Sequence, residues 1–157
     1  MKNIFYYKTE LGNTAIEDNG KAITGLYLNL ESDIENTRIY ETPLIKEASR
    51  QLFEYLTGKR KIFDLPLAAQ GTEFQQAVWD ALQLIPYGET RSYKDIAAEV
   101  GNPKACRAVG MANNRNNIAI IIPCHRVIGA NGKLIGYGGG LDKKAYLLEL
   151  EKHYANI

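Results

Sequence analysis

The chain has 157 residues, 45% of them hydrophobic, and a formal net charge of +1, so it can bury a core as one domain or two small ones and has no composition of a disordered or polybasic chain. No apolar run approaches the length of a membrane span, and the first ten residues lack the pattern of a secretory leader, which points to the cytoplasm. Cys106 and Cys124 suit a reducing compartment and supply neither a disulfide framework nor a Cys-x-x-Cys metal motif; His125 and His153 are the other soft ligands.

In chain order, short apolar or alternating segments at 4–7, 14–16 and 23–30, separated by Gly12 and Asn19-Gly20, predict strands. Thr42 then caps a helix with Pro43 in its first turn, apolar residues at Leu44, Ile45, Ala48, Leu52, Phe53 and Leu56, and Gly58 at its end. Residues 65–71 read as a linker, dividing the chain into 1–70, an α/β domain, and 71–157.

The second part opens on a capping-box pattern, Thr72-Glu73-Phe74-Gln75, and a helix with Phe74, Val78, Leu82 and Ile85 on one face and Trp79 in its core. Pro86-Tyr87-Gly88 ends it. Ser92 caps the next helix, carrying Ile96, Ala97 and Val100, and Gly101-Asn102-Pro103 turns the chain into a further helix from Lys104 to about Asn113. Helix, glycine-containing turn, helix is either an ordinary hairpin or a helix-turn-helix. Five basic residues (Lys104, Arg107, Arg115, Arg126 and Lys133) and no acidic one fall between 104 and 133, a stretch able to bind phosphates.

The apolar run 118–122 predicts a buried strand that delivers Pro123-Cys124-His125-Arg126-Val127 to a surface. A free thiol is mostly protonated at neutral pH, so a nucleophilic Cys124 needs a base or a positive field, and His125 and Arg126 can supply both. The last helix begins near Asp142, a candidate N-cap, and brings Leu147, Leu148 and Glu151 to one face. A carboxylate on an apolar stripe needs a partner, and His125 offers one, giving nucleophile, base and orienter. The glycine-rich 136–140 segment is not followed by Gly-Lys-Ser/Thr and reads as a flexible loop.

The order of these features, with Pro-Cys-His-Arg-Val followed by Leu-Leu-x-x-Glu, resembles the O6-alkylguanine-DNA alkyltransferases, direct-reversal DNA repair proteins. The motif match runs from about Phe74 to Glu151, whereas the N-terminal half shares only its order of strands and one helix. The resemblance implies a ribonuclease H-like small β-sheet with one helix, and a mostly helical domain carrying a winged-helix-like helix-turn-helix: an α/β (α+β) fold. It implies Cys124 as alkyl acceptor, His125 as base acting through a water, Glu151 as its orienter, Tyr93 as proton donor to the leaving base, and Asn116 as a hinge tying the DNA-reading helix to the cysteine turn. Arg107 would fill the space of a flipped nucleotide. Tyr93, Ser92, Arg115 and Arg126 would contact DNA, and Val127, Tyr137 and the Gly138 backbone would line the base pocket.

These roles imply a monomer that consumes itself on O6-alkylguanine, and as a second lesion O4-alkylthymine, in double-stranded DNA, with no cofactor, metal or membrane. Cys106 replaces the usual alanine beside the arginine, and Ala119 stands where some members have proline. A lesion binder of the alkyltransferase-like type would lack the acceptor cysteine, a plain helix-turn-helix regulator would leave Cys124, His125 and Glu151 without purpose, and a cysteine hydrolase would turn over.

Overall fold

The computed structural model describes residues 1–137 and 140–156 and divides into two compact units, Met1–Ala69 with Asn117–Ala119, and Gln70–Asn116 with Ile120–Ile157. In the first unit, β1 (Lys2–Thr9), β2 (Gly12–Asp18), β3 (Ile23–Tyr27) and β4 (Thr37–Ile39) form one sheet in the order β3-β2-β1-β4. The β1/β2 and β2/β3 pairs are antiparallel, and β4 joins β1 in parallel. Helix α1 (Pro43–Leu56) packs on β1 and β2, closing a core of Ile4, Ile16, Ile23, Leu26, Ile45 and Leu52. As expected, Thr42 caps it: the hydroxyl accepts from Ile45 N at 3.0 Å and donates to buried Asp18 at 2.5 Å.

The run 118–122 is not the buried strand expected of it. Only Ile118 makes a bridge, to Leu26, where Leu26 N donates to Asn117 O and Ala119 N to Leu26 O, so the tripeptide covers the edge strand β3. The next residues turn, and Ile120, 1% exposed, sits at φ 70°, a conformation rare for a β-branched side chain. Apolarity here reports burial, not extension.

The second unit contains α2 (Glu73–Gln83), β5 (Arg91–Ser92), α3 (Tyr93–Glu99), α4 (Cys106–Asn114), a 3₁₀ turn (Cys124–Arg126), β6 (Val127–Ile128) and α5 (Leu141–Tyr154). The capping box predicted at Thr72 forms with Gln75, and the N-cap predicted at Ser92 forms as part of a second such box, with Asp95. Helices α3 and α4 make the helix-turn-helix, flanked by a two-stranded parallel ladder pairing Arg91 with Val127 and Ser92 with Ile128. Buried Trp79 donates its indole N–H to Ala112 O at 2.9 Å, fastening α2 to the last turn of α4. Two helix starts differ from expectation: α4 begins at Cys106 rather than Lys104, and α5 is capped by Gly140, with Asp142 inside its first turn. Among the described residues no helix is long and apolar enough to cross a membrane.

Candidate active site

The cysteine turn is built by local hydrogen bonds. Pro123 holds φ −81° and ψ 65°, an inverse γ-turn in which Cys124 N donates to Ile122 O at 2.7 Å. The Asn116 amide also donates to Ile122 O, at 2.8 Å, so the chain just after α4 is tied to the residue two before the thiol. The Cys124 carbonyl accepts from Val127 N, closing the 3₁₀ turn, and from the Asn113 amide at 3.3 Å.

His125 is wholly buried, and its Nε2 lies 2.7 Å from Glu151 Oε2. Glu151 is 1% exposed and tightly bound: Arg126 donates Nε to Oε1 at 2.8 Å and an Nη to Oε2 at 2.9 Å, and Gly88 N donates to Oε1 at 3.1 Å. Gly88 has φ 81°, and a Cβ there would meet Ala155 at 2.8 Å, so a side chain at this donor would force the two apart. The other imidazole nitrogen, Nδ1, is buried with no hydrogen-bond partner among the described residues. A buried polar nitrogen left free in this way costs about 1–3 kcal/mol.

The electrostatics set a resting protonation state. Burial pushes the Cys124 thiol up, against the opposing pull of the Asn116 amide, the Lys144 charge and the Tyr137 hydroxyl. Burial also pushes His125 below its usual value, although the Glu151 hydrogen bond and charge oppose it. Burial alone would raise the Glu151 carboxyl, but the hydrogen bonds and charges of His125 and Arg126 outweigh it and hold the group at about 2. The site therefore rests as thiol, neutral imidazole and carboxylate.

Two findings depart from the sequence reading. Arg126, expected to contact DNA, is 7% exposed, and its guanidinium is spent on Glu151 and on the Ile85 carbonyl at 2.7 Å. It is an internal counter-ion, because the carboxylate that orients His125 needs a second cationic partner in the interior. Lys144 was overlooked: its side chain is wholly buried, and its Nζ donates to Ile135 O at 2.9 Å and weakly to Gly136 O. Burial pushes this ammonium down to about 8, with Cys124 as its electrostatic partner. The signal was present, since Lys144 lies seven residues before Glu151 on the stripe that contains Leu147.

The remaining candidates fall as follows. Tyr93 is half-buried; its hydroxyl donates to Ile135 O at 2.8 Å, sharing that carbonyl with Lys144, and burial raises it. The Tyr137 hydroxyl is buried with no hydrogen-bond partner among the described residues, and burial, with the nearby Cys124 thiol adding to it, raises it far above its ordinary value; Val127 is fully buried. Arg107 and Arg115 are exposed at the two ends of α4, without an acidic partner among the described residues. Ser92 uses its hydroxyl to cap α3, and Gly138 lies outside the described residues. Among the described residues no group of three or more His, Cys, Asp or Glu could hold a metal ion.

The chain matches the family described as 6-O-methylguanine DNA methyltransferase, DNA binding domain, over residues 73–153, and its ribonuclease-like domain over residues 4–69. The constitutive methylated-DNA-protein-cysteine methyltransferase of Bacillus subtilis is 52% identical over 152 residues, 92% of each chain. The methylated-DNA-protein-cysteine methyltransferase of Methanosarcina acetivorans is 62% identical over 121 residues, 77% of this chain and 74% of that one. The crystal structure of Mycobacterium tuberculosis OGT in complex with DNA superposes with a TM-score of 0.91 at 46% identity, covering 97% of this chain and 94% of that one.

Proposed function

Because the chain belongs to the 6-O-methylguanine DNA methyltransferase family, whose members repair DNA by moving an alkyl group onto a cysteine of the protein, we propose that Cys124 is that cysteine and O6-alkylguanine in duplex DNA its substrate. The observation that carries the assignment is the buried Cys124-His125-Glu151 series, with Glu151 on one imidazole nitrogen and the other left free.

In this mechanism Glu151 fixes the His125 ring through Nε2, and Nδ1 removes the thiol proton, directly or through a water. The thiolate attacks the alkyl carbon on guanine O6. One C–S bond forms as the C–O bond breaks, and the departing guanine takes a proton at its ring from Tyr93, which is restored from the proton held by His125. The main chain at Cys124 and Val127 reads the guanine exocyclic amine, and Tyr137 and the Gly138 backbone line the pocket. No cofactor enters, because the acceptor is the protein itself.

A base inside the stack must be flipped out to reach a buried thiol. Helix α4 enters the DNA groove from the minor-groove side, Arg107 takes the vacated space, and Ser92, Tyr93 and Arg115 hold the backbone. We assign these tasks to the C-terminal domain, 71–157, beside an N-terminal α/β domain, 1–70, in a monomer acting in the cytoplasm. O4-alkylthymine, with its alkyl group on an equivalent exocyclic oxygen, is the second substrate. Titrating an O6-methylguanine duplex against protein tests the reading: repaired product rises to one per protein and stops, whereas continued product formation would identify a turning-over catalyst and overturn it.

A further inference from the structure

Asn113 occupies the buried face of α4 with Val109 and Ala112 and is 2% exposed. An apolar residue would satisfy both the helix and the core there. The asparagine instead brings an amide whose Nδ2 donates to the Cys124 carbonyl at 3.3 Å, while its Oδ1 is buried with no partner among the described residues. An unsatisfied buried acceptor lowers stability, so this side chain is a poor choice for packing and a good one only if its donor matters.

The donor acts on the reacting residue itself. Asn116 holds the carbonyl of Ile122 and Asn113 the carbonyl of Cys124, so two amides at the end of α4 grip the main chain on both sides of Pro123. The same last turn is fastened from beneath by Trp79 on Ala112 O. With Val127 N also on the Cys124 carbonyl, the peptide plane that follows the nucleophile is fixed from two directions, and with it the direction in which the Cα–Cβ–Sγ arm leaves the turn.

We propose that Asn113 is a positioning residue for alkyl transfer: it fixes the main chain of Cys124 to the last turn of α4 so that the sulfur is aimed at the alkyl carbon when the helix is docked on DNA. The proposal rests on Cys124 being the acceptor. Asn113 does not touch substrate, and its effect is on the transfer step, since small misplacements of a nucleophile slow displacement steeply while leaving remote binding contacts intact.

The test compares wild type with Asn113→Leu, which keeps the number and branching of the side-chain heavy atoms at a somewhat larger volume and removes both the donor and the unsatisfied oxygen, and with Asn113→Ala. Single-turnover transfer from an O6-methylguanine duplex is measured over a range of protein concentrations, giving a saturating rate constant and a DNA affinity, alongside thermal melting of each protein. The expected result is a saturating rate lowered about ten- to a hundredfold, with DNA affinity within twofold of wild type and a melting temperature of Asn113→Leu equal to or above it. A saturating rate unchanged in a folded Asn113→Leu or Asn113→Ala, or a rate that falls only in step with melting temperature, would overturn the positioning role. Wild type is the control for the underlying reading: if it fails to methylate Cys124 the acceptor assignment is wrong, whereas a methylated wild type beside an equally fast variant removes Asn113 alone.

Discussion

Replacing Arg126 by methionine tests whether this cation serves the interior or DNA. The substitution keeps a long apolar stem in a site that is 7% exposed, but it takes both Arg126 hydrogen bonds from Glu151 and the donor from the Ile85 carbonyl. Removing one partner of a buried ion pair costs about 3–5 kcal/mol, against a total stability of about 5–15 kcal/mol for a folded domain. At about 2–4 °C per kcal/mol for a chain of this size, the melting temperature should fall by about 6–20 °C. Chemistry should change as well. The Arg126 charge disfavours protonated His125, so its loss raises the imidazole pKa, and the acid limb of the transfer rate against pH moves to higher pH. DNA binding should keep its salt dependence, because a guanidinium folded onto Glu151 neutralises no phosphate. Calorimetry, single-turnover rates across pH, and binding of duplex at several salt concentrations measure the three effects. A melting temperature within about a degree of wild type, together with a salt slope shallower by about 0.9, would return Arg126 to the DNA face and refute the internal assignment.

Arg107→Ala leaves the buried site untouched and should slow repair of duplex far more than reaction with free O6-alkylguanine base; equal effects on both would retire its role in extrusion. Methylation of Cys124, which is 5% exposed and lies beside Asn116 and Tyr137, overpacks the site and should lower stability by about 1–3 kcal/mol. Thermal melting of methylated and unmodified protein checks this, and an unchanged or raised midpoint would show that the pocket takes the methyl group without strain. Lys144, pushed down to about 8 by burial, binds fewer protons in the native state than in the unfolded chain between about pH 8 and 10.4, so its contribution to stability rises with pH across that window. The stability of Lys144→Met relative to wild type should accordingly fall by about 2–3 kcal/mol from pH 7 to pH 10, and denaturant titrations showing a flat difference would contradict the shift.

What was legible in the sequence follows the range of the forces involved. The starts of α1, α2 and α3 were readable because Thr42, Thr72 with Gln75, and Ser92 with Asp95 make hydrogen bonds within four residues of themselves. Strands β4, β5 and β6 have only two or three residues and exist through partners 35 or 36 positions away, so no local pattern announces them. The turn at Ile120 was hidden for a different reason: tertiary structure holds a β-branched residue at φ 70°, against its preference. In the site, Cys124 and His125 are adjacent in the chain and Glu151 shares a helical face with Leu147, so all three were accessible. Arg126 was misjudged and Lys144 overlooked because cations are normally exposed, and only the packed structure reveals which of them the buried carboxylate and thiol have drawn inside.

Intact-mass measurement of the protein after incubation with an O6-methylguanine duplex, followed by peptide mapping, tests the central assignment most directly. The account predicts a gain of a single methyl group, located on Cys124, with none on Cys106 and no gain in Cys124→Ser, which should still bind DNA. Repaired DNA beside unmodified protein, or a methyl group on any other residue, would contradict it.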